Sequence, residues 1–215
     1  MVVSAQPSSF SALAYSGALT DHVNKVADLG FDGVELAVRN PERIDVEYLK
    51  TLLRHRRLAV AAIGTGQAFS DDKLSFTDAD AAIRQAAVER ILAHQKLASE
   101  LDTLVIIGLI RGKSVAAVGR EQAETWLVES LRHCAAAWPK VRMVIEPINR
   151  YETELINTVA SGLAFLDRIG ADNVGLLLDT FHMNIEEASF QQSIQMAGER
   201  IFHFHVADSN RWYPG

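Results

Sequence analysis

Val141-Arg142-Met143-Val144-Ile145-Glu146-Pro147-Ile148-Asn149-Arg150-Tyr151-Glu152 decides how the rest of the sequence is read. Its apolar residues alternate with period two and end in a carboxylate. Pro147 then pushes Glu146 toward an extended conformation and stops a sheet ladder there. The segment predicts a strand with a charged group at its C-terminal tip. Two later stretches repeat the pattern, Val174 to His182 (V-G-L-L-L-D-T-F-H) and Ile201 to Arg211 (I-F-H-F-H-V-A-D-S-N-R). Side chains two apart share a face, so Val144 goes with Glu146, Gly175 and Leu177 with Asp179, and His203 with His205. Where those faces turn inward, Glu146, Asp179 and His205 meet at one end.

Upstream, strands and helices alternate. A short strand at Met1 to Ala5 precedes a helix over Thr20 to Leu29, with Gly30 at its C-terminal stop. Gly33 to Val38 is a second strand, Asp45 to Arg56 a helix, and Leu58 to Gly64 a third strand that opens into a polar loop, Thr65 to Ser75. Thr77 with Asp80 three residues on reads as a capping box for a long helix to about Glu100. Thr103 to Ile110 is continuously apolar, as a strand covered on both faces must be. A helix over Arg120 to Ala137 stops at Pro139, and further helices are expected over Thr158 to Ile169 and Ser189 to Arg200.

Such alternation means a parallel sheet, doubly wound or closed as a barrel. Gly64-x-Gly66 follows the third strand and lacks the third glycine of a dinucleotide fingerprint. Polar tips on several strands suit the active face of a TIM (β/α)8-type barrel. Such barrels need about 250 residues. With 215 residues, the chain is expected to be one domain, 1–215, truncated at its C-terminus after about seven strands, without the eighth βα unit.

Formal net charge is −6, and the dense basic run, Arg54 to Arg57, falls at a helix end, where it complements the dipole. Neither a nucleic-acid partner nor a membrane segment is indicated. The single cysteine, Cys134, fits a small buried hydrophobe in a reducing compartment, so a cytoplasmic protein is expected.

Two carboxylates and an imidazole from Glu146, Asp179 and His205 suit a divalent ion with positions left open for a substrate. Each residue also has a plainer reading: an Asp at a strand end caps the next helix, a strand His is a satisfied core residue, and a strand-end Glu forms a buried ion pair. Glu35 is a candidate for orienting a metal ligand, with a structural ion pair as the alternative. His203 reads as a core hydrogen-bonding group, and Trp212 and Tyr213 as a roof over a sugar ring or as rim packing.

E-P-I-N-R-Y-E at Glu146, L-L-L-D-T-F-H-M-N at Leu176 and F-H-V-A-D-S-N-R-W-Y-P-G at Phe204 together resemble the sugar isomerase/epimerase family with the xylose isomerase-like TIM barrel. The D-tagatose/D-psicose 3-epimerase branch is the nearest likeness. G-F-D-G-V-E-L at Gly30 and A-I-G-T-G-Q at Ala62 extend the resemblance over nearly the whole chain. It implies that Glu146, Asp179 and His205 hold a metal, Mn²⁺ first, with Co²⁺, Mg²⁺ or Zn²⁺ as alternatives. It implies further that Glu152, His182 and Arg211 contact the oxygens of a small sugar, and that the protein forms a homodimer or tetramer. Glu146 would be one of two carboxylates that move a proton through a metal-bound enediolate. The second, also the fourth ligand, belongs to an eighth strand, so the 215-residue form is expected to bind metal weakly and turn over poorly.

Within the family, hydroxypyruvate isomerase and inosose dehydratase-like activities are alternatives. From other classes come an AP endonuclease-like repair enzyme, which calls for more ligands on earlier strands and a basic rim, and an inactive sugar-binding remnant.

Overall fold

Hydrophobic spacing sets the element order in the computed structural model, which describes residues 1–6, 18–113 and 118–215. The strands are β1 (Val2–Ser4), β2 (Gly33–Ala37), β3 (Ala59–Gly64), β4 (Val105–Ile107), β5 (Met143–Ile145), β6 (Val174–Asp179) and β7 (Ile201–His205). Between them lie α1 (Leu19–Asp28), α2 (Val46–Arg56), α3 (Gly66–Ser70), α4 (Ala81–Leu101), α5 (Arg120–Ala137), α6 (Val159–Ile169), α7 (Thr180–Glu186) and α8 (Phe190–Ala197). Each strand pairs in parallel with the next, in the order β1 to β7.

The sheet is curled. In a flat sheet β2 and β7 would stand five spacings apart, about 24 Å at ~4.8 Å each. Instead the Glu35 carboxylate on β2 accepts hydrogen bonds from His203 and His205 on β7 at 3.0 and 2.8 Å. The curl makes two cores. The larger fills the space between sheet and helices, with Val34, Leu36, Ile63, Val105, Ile145 and Leu178 among its buried members. The smaller lies on the other face of the sheet and contains Ala62, Ile106, Val144 and Leu177. A seven-stranded, incomplete TIM barrel is thus the fold of the described residues.

The helix punctuation follows local chemistry. Asp45 caps α2 through Tyr48 N–H, and Thr158 and Ser161 form a reciprocal capping box on α6. Gly170 ends α6 with φ +67°, the left-handed conformation favoured there. A Cβ on Gly175 would lie 2.5 Å from the Phe202 ring, so only glycine lets β7 pack against β6 there.

Three expectations are corrected. The capping box at Thr77 does not form: Asp80 caps α4 through Ala82 N–H, while the buried Thr77 hydroxyl donates to the Lys113 carbonyl at 2.8 Å. The loop after β3 is interrupted by α3. The strand read as Val174 to His182 ends at Asp179, and His182 lies on α7, because the Asp179 side chain caps that helix by accepting from Phe181 N–H at 2.8 Å.

Candidate active site

Glu146 stands one residue past β5, and its backbone carbonyl accepts from Arg111 Nη1 at 2.5 Å. Arg111 is fully buried at the end of the 3-10 turn that follows β4. Asp179 closes β6 and His205 closes β7. The structure brings these three tips together: His205 Nδ1 lies 3.7 Å from Asp179 Oδ2 and 3.9 Å from Glu146 Oε1. Asp179 therefore caps α7 through Oδ1, as its plainer reading expects, while Oδ2 turns toward His205.

Glu35 sets the direction of His205. Burial opposes its ionisation, but hydrogen bonds from His203 and His205 hold its carboxyl down at about 2. An ionised carboxylate only accepts, so each imidazole presents Nε2–H to it. The other nitrogen of His205, Nδ1, then faces Glu146 and Asp179. Against the effect of burial, the Asp179 and Glu35 carboxylates raise His205 to about 11. Burial drives Glu146 up to about 7, with the charge of His205 opposing and that of Asp179 adding. Three carboxylates thus crowd one imidazole in a low-dielectric mouth, an excess of negative charge that a divalent cation would relieve.

Two sets of donor atoms each lie within 4.8 Å of one another, Glu146 with Asp179 and His182, and Glu35 with His203 and His205. The second set is consumed by its own hydrogen bonds. The first set is oxygen-rich, as a divalent ion prefers, and Nδ1 of His205 also faces its two carboxylates, at 3.9 Å from Glu146 and 3.7 Å from Asp179.

Beside them, Arg211 Nη1 donates to Glu152 Oε1 at 2.9 Å, and His182 Nε2 is 3.5 Å from Glu146 Oε1. Burial keeps His182 below its ordinary value, against the charges of Asp179 and Glu152. Arg211 takes φ +67°, uncommon for a residue with a side chain, and its guanidinium lies 4.9 Å from the Phe181 ring centre. Trp212 and Tyr213 are 66% and 76% exposed. Sequence reasoning gave no role to Asn149 or Arg111. Asn149 is buried and donates through Nδ2 to Glu152 Oε1 at 3.1 Å. Arg111 carried a signal, a charge directly after an apolar strand, the same pattern that singled out Glu146.

A family described as xylose isomerase-like TIM barrel matches residues 23–214. L-ribulose 3-epimerase of Methylomonas sp. (strain DH-1) is 34% identical over 194 residues, which are 88% of this chain and 66% of that protein. D-psicose 3-epimerase of Agrobacterium fabrum is 33% identical over 210 residues, 94% of this chain and 71% of that protein. The crystal structure of a Methylomonas D-allulose 3-epimerase in complex with D-allulose is similar with a TM-score of 0.80 at 30% identity, covering 91% of this chain and 68% of that one. The chain spans about two thirds of the length of these relatives.

Proposed function

The chain belongs to the xylose isomerase-like TIM barrel family, and from that membership we propose that it is a metal-dependent sugar isomerase, most specifically a ketose 3-epimerase. One observation carries the proposal: the Glu146 carboxylate sits between the Nδ1 of His205, at 3.9 Å, and the Nε2 of His182, at 3.5 Å. One oxygen therefore faces both the metal donors and the group assigned to the sugar.

Glu146, Asp179 and His205 hold the ion, Mn²⁺ by preference. Bound there, it supplies Lewis-acid stabilisation of the negative charge that develops on a ketose carbonyl oxygen. Glu35 fixes the His205 ring through Nε2. His182, Glu152 and Arg211 bind and orient the oxygens around the carbonyl. Glu146 takes the proton from the neighbouring carbon as the general base. Inversion of the carbon calls for a second carboxylate on the opposite face.

The named relatives act on ketoses at carbon 3, which favours epimerisation over hydroxypyruvate isomerase or inosose dehydratase chemistry. An AP endonuclease-like reading has less support, because a net charge of −6 disfavours a polyanionic partner. No helix among the described residues is long and apolar enough to cross a membrane. A cytoplasmic protein with a single domain, assembled as a homodimer or tetramer, fits this reading.

The test is incubation of the complete gene product with Mn²⁺ in D₂O, with D-fructose, D-tagatose, D-psicose and L-ribulose as substrates, followed by NMR. Deuterium at C3 with appearance of the C3 epimer is expected. Exchange at C1 with an aldose product would replace epimerisation by isomerisation. An absence of exchange on every ketose with Mn²⁺, Co²⁺ or Mg²⁺ would leave the inactive sugar-binding remnant.

A further inference from the structure

We propose that Asn149 is a positioning residue that fixes the proton of His182 on Nε2, so that His182 meets the substrate as a hydrogen-bond donor and is not a metal ligand. The geometry leaves one assignment. Tyr151 N–H donates to Asn149 Oδ1 at 3.0 Å, which settles which end of the amide is oxygen. Asn149 Nδ2, a donor only, is then 2.8 Å from His182 Nδ1 and 3.1 Å from Glu152 Oε1, one partner for each of its two hydrogens. The backbone N–H of Asn149 approaches the same Nδ1 at 3.4 Å. A nitrogen that receives two donors carries the lone pair. The proton of the neutral ring is consequently on Nε2, the atom 3.5 Å from Glu146 Oε1.

The two imidazoles of the mouth are therefore held by different nitrogens, the half-buried His205 by Nε2 and the buried His182 by Nδ1. A carboxylate, Glu35, holds the Nε2–H of His205 and leaves Nδ1 facing the site, where a cation can replace its proton, whereas an amide, Asn149, occupies the Nδ1 lone pair of His182 and turns its Nε2–H into the site. This separates the competing donor sets: of the two histidines near Glu146 and Asp179, only His205 can give up the proton of its site-facing nitrogen to a cation and remain a neutral imidazole, whereas His182 would have to become an imidazolate. Through Glu152, which also accepts from Arg211 at 2.9 Å, the same amide ties the three groups assigned to the sugar into one unit.

The role in turnover rests on the epimerase reading, but the proton position does not, so the experiment reads both. Long-range ¹H–¹⁵N spectra of the ¹⁵N-histidine-labelled protein at fixed pH should show His182 with an unprotonated Nδ1 and a protonated Nε2. Asn149→Asp, of the same size but now an acceptor, should move the proton to Nδ1. It should lower kcat by roughly 10²-fold while KM changes only a few-fold. Asn149→Ala should give a mixture of the two tautomers. A wild-type ring protonated on Nδ1, or an N149D protein that keeps the Nε2–H form, would overturn the proposal. Should one variant fail to fold, the other and the wild-type spectrum still decide it. The expected tautomer in a protein with no ketose exchange would instead count against the epimerase reading alone.

Discussion

The two sides of the curled sheet gather similar residue types and do opposite things with their charge. Beyond the tip of β2, the Asp72 carboxylate accepts from Arg39 Nε at 2.8 Å and from Arg90 Nη1 at 2.7 Å, and Arg90 also donates to the Arg39 carbonyl at 2.6 Å. His94 is buried nearby, its ring nitrogens on the Arg90 and Val38 carbonyls. Burial opposes the ionisation of Asp72, but the two guanidinium groups win and hold it below its ordinary value. At the tips of β5, β6 and β7, Glu146, Asp179 and the facing Glu35 outnumber their cationic partners, and Glu146 rises to about 7. With Asp71 also acting on Arg39, two carboxylates face two guanidinium groups, and a balanced cluster of this kind is finished as a scaffold. An unbalanced one has a charge requirement that only something bound can meet.

The largest expected effect breaks the unbalanced side. Glu146→Gln in the complete gene product keeps the shape and removes the charge, and should lower kcat by about 10³-fold or more, since it deletes a proton acceptor and a metal donor together. Turnover within a few-fold of wild type would refute the role assigned to Glu146. On the balanced side the same kind of deletion should cost stability and spare activity. Asp72→Ala strands Arg39 and Arg90, and a loss of about 2 kcal/mol is expected. That is less than a fully buried pair would lose, because the Arg39 side chain is 40% exposed. Denaturant unfolding measures the loss, and kcat and KM should remain at wild-type values. A fall in kcat without a fall in stability would erase the distinction between the two clusters.

A smaller effect is expected at Glu35, which joins the two walls. Glu35→Gln weakens the grip on Nε2 of His205 without replacing any of the proposed metal donors. Affinity for Mn²⁺ in calorimetry should fall by about 10–100-fold. An unchanged affinity would make Glu35 a structural pair for His203 and His205, the alternative already visible in the sequence.

These residues also mark where the sequence was legible. Strand tips, helix caps and apolar runs are local, so the barrel order and the candidates Glu146, Asp179 and His205 could be read from spacing and punctuation. The resemblance of three motifs then gave Glu152, His182 and Arg211 their roles. Contacts between distant segments could not be read that way. Glu35 and His205 lie 170 positions apart, Asn149 and His182 lie 33 apart, and Arg39 and Asp72 also 33 apart. The curl makes the first contact and α7 the second. His182 was assigned to a strand because L-L-L-D-T-F-H continues its apolar alternation past the residue at which the Asp179 side chain starts a helix.

The smallest effect sharpens the comparison through pH. In the metal-free protein, folding raises the Glu146 carboxyl from 4.5 to about 7. The folded state therefore keeps a proton that the unfolded chain has lost, and stability falls as pH rises from 4.5 to 7. Glu35 has the opposite sign: held at about 2, its contribution is complete above 4.5 and is lost only as pH falls toward 2. His205, raised from 6.5 to about 11, contributes fully below 6.5 and loses that contribution as pH climbs toward 11. Between pH 4.5 and 6.5, Glu146 is thus the member of this cluster whose contribution changes most. At face value its shift is worth roughly 3 kcal/mol, and shared titration with its neighbours should reduce that to about 1 kcal/mol, or some 2–4 °C in Tm for a chain of this size. The difference in Tm between E146Q and wild type should grow by that amount across the window and shrink again when Mn²⁺ is added to wild type, because ligation requires the carboxylate. Parallel pH curves for the two proteins would mean that the mouth carries no uncompensated charge, and the contrast with the Asp72 cluster would fall.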